Sequence, residues 1–450
     1  MSFATAGDGG LPTTRWGDVH LAAAARAVST CGDFLAATAL ALALQTAGAG
    51  GLAVSGVLLA ATLPLVLLSP LTGRLADRVD SRTLLVWAGF AQAGCCVALA
   101  YAERVDVILV LVALLACGLA VTQPTLAALL PEMVRREDLA RASAVNQTAG
   151  SLGLLLAPAL AGLLVGEFGV RPPLLLDAAS YLALVVAGLL LRTRRGGRHS
   201  TATAGAGGSP PRAPGGPAQT GARRPAGAGR STGTGWRLRQ DPLLWTMVAA
   251  IAATVAGVGA VNVIDVFYVR ETLGAGTTTY GLVTMSWTAG MLAGTWLLAG
   301  ASRRVPDDGA RVWGVLAMLG LACLAVLAGA TVPTAGWLIP LWLLGGVANG
   351  GLNVFSNLVM VERVPPAVRG RAYATQNAAI QGAGMLGYLA GGLLLARFAP
   401  RPLVAATGLT GLAVILMVVP VVLRAVRRES DRRREPEPGD AAPATSAPVS

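Results

Sequence analysis

Charge in this 450-residue chain is confined to short stretches. The runs between them are apolar for roughly 20 residues at a time, enough for a helix to cross a bilayer core of about 30 Å. Hydrocarbon offers no partner to a backbone N–H or C=O, so runs of this length fold as helices that satisfy their hydrogen bonds internally. Reading the runs between charged or Gly/Pro breaks gives twelve, near 20–46, 51–71, 83–101, 106–130, 142–166, 174–191, 243–268, 279–300, 312–331, 335–359, 373–395 and 403–423. Only 13% of the residues are charged, against about 25% in an ordinary soluble domain. The sequence therefore predicts an all-α integral membrane protein with twelve transmembrane helices.

Two stretches fall outside this pattern. Residues 193–241 are rich in Gly, Pro, Ala, Thr and Arg and have nothing to bury, so they read as a disordered linker; 425–450 read as a disordered tail. The expected organisation is an N-terminal segment 1–19, a six-helix half 20–192, the linker, a second half 242–424 and the tail. The first nineteen residues hold no apolar core of the kind a cleavable signal peptide needs. With the N-terminus inside, the outer loops hold only Arg104, Arg171, Arg270, Arg397 and Arg401, and Arg26 lies within the first span. All other basic residues then face the cytoplasm, so the positive-inside rule places both termini and the linker there, in a cell membrane. The net charge of +12 is met by anionic lipid headgroups and calls for no nucleic acid.

All 35 basic residues are Arg. Without Lys the chain can form neither a Walker A nucleotide loop nor a Lys Schiff base. The five cysteines fall inside apolar runs and read as small buried hydrophobes. His20 and His199 are too far apart to build a metal site. No catalytic residue, metal or cofactor is expected.

The two halves repeat. Under a shift of 230 residues, "RASAVNQTAGSLGLLLAPALAGLLVGEF" (141–168) lies over "RAYATQNAAIQGAGMLGYLAGGLLLARF" (371–398), with nine identities that include Arg141/Arg371, Gly162/Gly392 and Phe168/Phe398. The same shift sets Glu132 on Glu362 and Val134 on Val364. Two parallel six-helix repeats about an axis normal to the membrane, with a site near the midplane between them, form a transporter architecture.

Between spans 2 and 3 stands GRLADRVDSR, residues 73–82. Together with the two six-span halves it resembles the major facilitator superfamily, whose pattern there is G-x-L-x-D-R-x-G-R-R/K. Gly73, Leu75, Asp77, Arg78 and Arg82 match; Asp80 and Ser81 stand where the family has Gly and a basic residue. Three further stretches resemble the drug-exporting branch that includes macrolide efflux pumps and the enterobactin exporter. They are "RAVSTCGDF" in span 1, "LPEMVRREDLARASAVNQ" after span 4 and "VERVPPAVRGRAYA" before span 11. Span 4 carries no Arg, and the span 5 motif reads Ala157-Pro158-Ala159-Leu160-Ala161-Gly162, with Ala at two usual Gly positions. The resemblance implies the major facilitator fold, with its two pseudo-symmetric six-helix bundles.

The charged knot at 73–82 has two readings. Its arginines alone can serve topology, but acids contribute little to orientation, which leaves Asp77 and Asp80 unexplained. Alternatively Asp77 accepts hydrogen bonds from the free N–H groups opening span 11, where the helix dipole favours an anion and Pro365-Pro366 suits a helix start. The resemblance places these two segments together and makes Gly73, Asp77, Arg78 and Arg82 a cytoplasmic gate. Glu132 with Arg141 and Glu362 with Arg371 flank the loops after spans 4 and 10 and read either as further gate charges or as solvated loop charge.

Ionisable groups inside the spans are few. An Asp at a helix centre costs about 2.5–3.5 kcal/mol to insert, so Asp33 is a functional candidate, and no other acid was expected deep in this half. Arg26, Ser29, Thr30 and Asp33 share one helical stripe. A carboxyl desolvated there either carries a proton or is a structural acid held by Ser29, Thr30 or water. Asp265 reads as part of an extracellular rim with Arg270 and Glu271. Asn349, Asn353 and Asn357 lie on one face of span 10, either binding cargo or bonding across helices beside Gly346 and Gly350; Gln147 and Gln381 are further cavity candidates. Gly387-xxx-Gly391 and the small residues 157–162 read as close-packing faces.

These residues, with the resemblance supplying the direction, point to a monomeric secondary transporter that exports an amphipathic small molecule, a macrolide-like drug or a secondary metabolite, by alternating access in exchange for protons. A siderophore exporter, an importer of a small metabolite and a non-transporting membrane scaffold remain open alternatives. The gate reading gives a test. Asp77→Asn is expected to weaken the cytoplasm-closed state by about 1–2 kcal/mol, a roughly five- to thirty-fold population shift. Labelling of cytoplasmic-side cysteines should rise and transport fall, whereas Arg74→Gln should change little. Equal defects in the two variants would reduce the loop to a topology signal.

Overall fold

The structure is a computed structural model that describes residues 14–135, 137–191, 241–302 and 308–434; within these, residues 69, 70, 73–78, 301, 302, 308, 367 and 425–434 are described by backbone alone. Residues 193–240 of the expected linker therefore lie outside the described residues, and so do the side chains of Asp77 and Arg78. Twelve helices are long and apolar enough to cross a membrane. They are α1 Trp16–Thr46, α2 Gly50–Arg78, α3 Ser81–Ala100, α4 Val105–Met133, α5 Leu139–Phe168, α6 Arg171–Leu190, α7 Pro242–Thr272, α8 Thr277–Ser302, α9 Asp308–Gly329, α10 Leu338–Arg363, α11 Arg369–Leu395 and α12 Pro400–Arg434. Among the described residues there is no strand. An even number of crossings puts both termini at one face; the opposite end is called the far face below.

Local chemistry sets the helix ends. Asp80 caps α3, its Oδ1 accepting from the amides of Arg82 (2.9 Å) and Thr83 (3.2 Å). One of the two acids in the charged knot therefore starts a helix. Asp241 caps α7 through Leu243 N (3.0 Å) and Leu244 N (3.1 Å), with Pro242 at the first helical position. The same carboxylate takes Arg363 of α10 at 3.0 Å. α1 begins at Trp16, earlier than the expected boundary at 20, with Arg15 N bonded to Met133 O at 2.9 Å. α12 runs on to Arg434, past the expected boundary at 424, because no Gly or Pro interrupts its Arg-, Ala- and Glu-containing end.

α7 is not continuous. Its α-helical segments Pro242–Val258 and Val261–Phe267 are separated at Gly259-Ala260 and followed by a π-helical turn, Tyr268–Thr272. Gly259 O accepts from both Asn262 N (3.2 Å) and Asn262 Nδ2 (3.1 Å), so an amide side chain supports the break.

The two halves repeat in packing as they do in sequence. In the first half α1 packs on α5 and α6, α3 on α4 and α6, and α2 on α4. Six helices further on, α7 packs on α11 and α12, α9 on α10 and α12, and α8 on α10. Glycine allows the close crossings: Gly346 and Gly350 of α10 lie against the backbone of α8, and Gly387 and Gly391 of α11 against that of α7. Large apolar side chains such as Trp296, Leu416 and Met417 are exposed, as a lipid-facing surface requires.

The halves meet through α2 with α11 and α5 with α8. At the far face, a Cβ on Gly51 would sit 2.8 Å from Leu395 Cβ, and one on Gly392 would sit 2.9 Å from Gly51 O. In the symmetry-related contact a Cβ on Gly162 would press on Thr277 O and one on Gly281 on Pro158 O. Gly51 and Gly281, like Gly162 and Gly392, are 230 residues apart, so the repeat supplies both sides of this seam. The buried apolar core crosses between the halves only here, among the described residues. Leu40, Leu42, Ala53 and Val54 join Ile264, Tyr268, Tyr280 and Trp342, whereas the clusters nearer the termini belong to one half each.

Gly162→Val is expected to disfavour the far-closed arrangement by about 1–3 kcal/mol, the usual cost of overpacking against backbone. Ser55 is 1% exposed beneath Gly392. In a background without native cysteines, Ser55→Cys should react slowly with an impermeant thiol reagent applied at the far face. Adding Gly162→Val should speed that reaction about five- to 150-fold; an unchanged rate would show the seam does not hold this face shut.

Candidate functional site

The densest buried polar group lies between α1, α3 and α6 in the first half. Asp33, half-buried on α1, accepts a hydrogen bond from the Tyr181 hydroxyl of α6. Asp177, one turn before Tyr181, is fully buried. Its Oδ1 accepts from Ser180 Oγ at 3.1 Å and its Oδ2 faces Cys96 Sγ of α3 at 3.2 Å. α1 reaches this carboxyl because residue 32 is Gly: a Cβ there would sit 2.5 Å from Ser180 Oγ and closer still to Asp177 Oδ1. Every donor found for the two carboxyls is neutral: two hydroxyls and a thiol.

This corrects two expectations. Asp33 is not the only acid deep in this half; Asp177 lies only just inside the expected sixth span, behind Pro172-Pro173, where an acid passes for an interfacial one. Cys96 is not only a small hydrophobe, because its thiol faces a carboxylate. Ser29, expected to hold Asp33, is buried, but Tyr181 is the donor found.

Arg26 lies two turns towards the termini. Its Nε is buried without a hydrogen-bond partner, beside the position a Cβ on Gly150 would take (2.9 Å). A guanidinium with an unmet donor inside a membrane span is costly. On α10, Asn349 is half-buried and Asn353 and Asn357 are exposed; Asn353 Nδ2 donates to Asn349 Oδ1 at 3.3 Å. Asn349 and Asn353 pair along their own helix, the neighbouring glycines make the contact with α8, and among the described residues no side-chain bond of the three across helices is found. Gln147 and Gln381 are exposed.

The gate charges have other partners in this conformation. Glu362 pairs with Arg311 of α9, and the Arg141 guanidinium lies 4.8 Å from the Trp16 ring centroid, a cation–π contact. Glu132 and Arg371 are exposed, and Arg82 is half-buried at the start of α3.

At the far face the π-helical turn of α7 bridges the halves. Arg270 Nε donates to Gln45 Oε1 of α1 at 3.4 Å, and Gln45 Nε2 donates to Glu271 Oε1 at 3.1 Å. Arg270 Nη1 also binds Ala275 O at 2.8 Å. Asp265 does not join this rim, contrary to expectation: it is 8% exposed, because the π-helical turn carries the chain a further turn past it.

Comparison with known proteins follows this geometry. A family model described as Major Facilitator Superfamily matches residues 22–331 and 247–449. An uncharacterized MFS-type transporter, YfiS, of Bacillus subtilis (strain 168) is 25% identical over 164 residues, which span 36% of this chain and 39% of the relative. Among solved structures, a bacterial homolog of the human lysosomal transporter Spinster, inward-facing and unoccupied, superposes with a TM-score of 0.68 at 13% identity, over 95% of this chain and 100% of the other. A bacterial homologue of the iron transporter ferroportin, inward-facing, gives 0.67 at 18% identity over 91% and 98%. At such identities these structures speak to the fold.

Gly32→Ala is expected to break the Ser180–Asp177 hydrogen bond and to cost about 1–3 kcal/mol by overpacking. The detergent-solubilised protein should melt at a lower temperature by scanning fluorimetry, whereas Gly17→Ala, where a Cβ meets nothing, should melt as wild type. Equal melting of the two variants would mean that α1 does not bear on Asp177.

Proposed function

The chain belongs to the Major Facilitator Superfamily, and from that footing we propose that it exports an amphipathic small molecule in exchange for protons carried by the Asp33–Asp177 cluster. The family and the fold are those of alternating-access transporters rather than of enzymes. The observation that carries the proton reading is the cluster itself. Two carboxyls, Asp177 fully buried and Asp33 half-buried, stand together, and the donors found for them are Tyr181, Ser180 and Cys96, all neutral. Two like charges so placed repel, and burial penalises each of them, so a proton is the counter-charge that makes the pair tolerable.

The step is a proton transfer. In the state open to the outside, water reaches the cluster and a carboxylate takes up H⁺. After the halves rock about the glycine seam, the proton leaves to the cytoplasm as cargo binds between the halves. Asn353, Asn357, Gln147 and Gln381 are the amides that would meet its polar groups, and Arg26 is the cation nearest to the cluster along α1. Export is favoured by the likeness of "RAVSTCGDF", which contains Asp33, to drug exporters. The arginine distribution favours termini in the cytoplasm and a far face outside the cell, with anionic headgroups at the inner surface. The transporter acts as a monomer in this reading.

A susceptibility screen of an efflux-deficient bacterium expressing the protein, over macrolides, dyes and siderophores, should identify cargo. With that cargo in proteoliposomes, Asp33→Asn is expected to abolish cargo-driven proton release while the protein still inserts, and Asp177→Asn to lower it at least about tenfold. Wild-type proton release in Asp33→Asn would remove it as the coupling residue. Protection against none of the compounds would count against export.

A further inference from the structure

The second half holds a buried acid with no part in the proton cluster. Asp265 sits on the second segment of α7, between Ile264 and Val266, which are wholly buried in the apolar core that joins the two halves at the far face. Its Oδ1 is buried with no hydrogen-bond partner. Trp342 of α10, Tyr280 of α8 and Tyr268 of α7 belong to the same buried cluster, with the Trp342 side chain near the carboxyl. Tyr268 does not supply the missing donor, because its hydroxyl donates to Gly329 O at 2.8 Å.

Two cations, one in α12 and one in the π-helical turn, have other partners. Arg401 of α12 binds Val332 O at 3.2 Å. Arg270 binds Ala275 O and Gln45. Glu271, the remaining charge on the π-helical turn, accepts from Gln45. An ionised Asp265 would thus leave a full charge in apolar core with one oxygen unmet. The neutral acid removes the charge and leaves only an unpaired polar atom, the lesser penalty.

We propose that Asp265 is a proton-binding site of the second half, occupied when the far face is closed and emptied to the outside when that face opens. The reasoning is linkage. Its neighbours in the chain are part of the core shared between the halves, so parting the halves brings water to it. Water stabilises the carboxylate, whereas the closed core tolerates only the acid. The balance on opening is simple: the O–H bond of Asp265 breaks, its proton goes to external water, and the carboxylate remains. Because the closed state binds one more proton, acid outside favours closure. The bridge from Gln45 to Arg270 and Glu271, on the turn that follows Asp265, ties the same segment of α7 to α1, so protonation and closure act on one element. This goes beyond cargo export and does not depend on Asp33.

The test is conformational. Nitroxide labels at Glu103→Cys and Thr334→Cys, both exposed far-face positions in opposite halves, would be placed in a background without native cysteines. Their separation would be measured by pulsed electron resonance in nanodiscs. Between about pH 5.5 and about pH 8.5 the wild type is expected to move from the short to the long distance. Asp265→Asn should stay short throughout, with at least about a tenfold smaller open fraction at the higher pH. Trp342→Phe removes a polar neighbour of the carboxyl and should move the midpoint of the response by about one pH unit. That readout also serves if Asp265→Asn does not reach the membrane. A wild-type response in Asp265→Asn, an unmoved midpoint in Trp342→Phe, or a wild type blind to pH would each overturn the proposal. So would closure by sodium at constant high pH, which would make the occupant a metal cation. Asp33→Asn should keep this distance response while losing cargo-driven proton release, so the two readings fail separately.

Discussion

The structure turns on four glycines that let two backbones touch where the halves meet. Lipid supplies no hydrophobic force between helices, so their association rests on van der Waals contact and on polar pairs, and small residues give the closest contact. Gly51 with Gly392, and Gly162 with Gly281, bring α2 onto α11 and α5 onto α8 at one end of the bundle. Everything functional is placed relative to that seam. The bridge at Gln45 closes over it, Asp265 lies in the core that crosses it, and the Asp33–Asp177 cluster stands to one side, wholly within the first half. The seam is symmetric because the chain is duplicated, so a rocking motion meets the same contact on both sides of the pseudo-twofold axis.

Much of the fold was legible from the spacing of charge. Hydrocarbon forbids unpaired backbone, so run length alone gives helix number, and an even number puts both termini on one side. The repeat also showed, through Gly162/Gly392 and Phe168/Phe398. Its other half, Gly51/Gly281, did not, because a single matched Gly in a Gly-rich chain carries no weight until both residues are seen to touch the opposite pair. The break in α7 was equally hidden. Gly257 and Gly259 are two glycines among 57, and a π-helical turn has no sequence pattern of its own.

The site was less legible than the fold, for a physical reason. A sequence tells how deep an acid sits along its own helix but not what the neighbouring helix presents to it. Asp33 stood out by depth. Asp177 did not, since it follows a Pro-Pro helix start where an acid is cheap; only the packing of Gly32 against it shows that it is sealed in. Asp265 was taken for a rim residue because the expected helix ended close behind it. The π-helical turn moves the end of the helix and leaves the carboxyl in the core. Asp80, which the topology reading of the charged knot left unexplained, is a helix cap.

The hydrogen bond from Tyr181 to Asp33 has a meaning for biogenesis. Asp33 leaves the ribosome in the first helix, and its donor arrives only with the sixth. Until then α1 must hold Asp33 in or near lipid without this partner, at a cost of about 2.5–3.5 kcal/mol if it is charged. The nascent chain therefore has reason to keep α1 in the insertion channel or against a membrane chaperone while five further helices are made. Completion of α6 is the moment at which Asp33 can gain the donor it has in the finished structure. Substitutions at Tyr181 or Asp177 would then show first as retention and degradation of early chains, before any effect on the finished transporter.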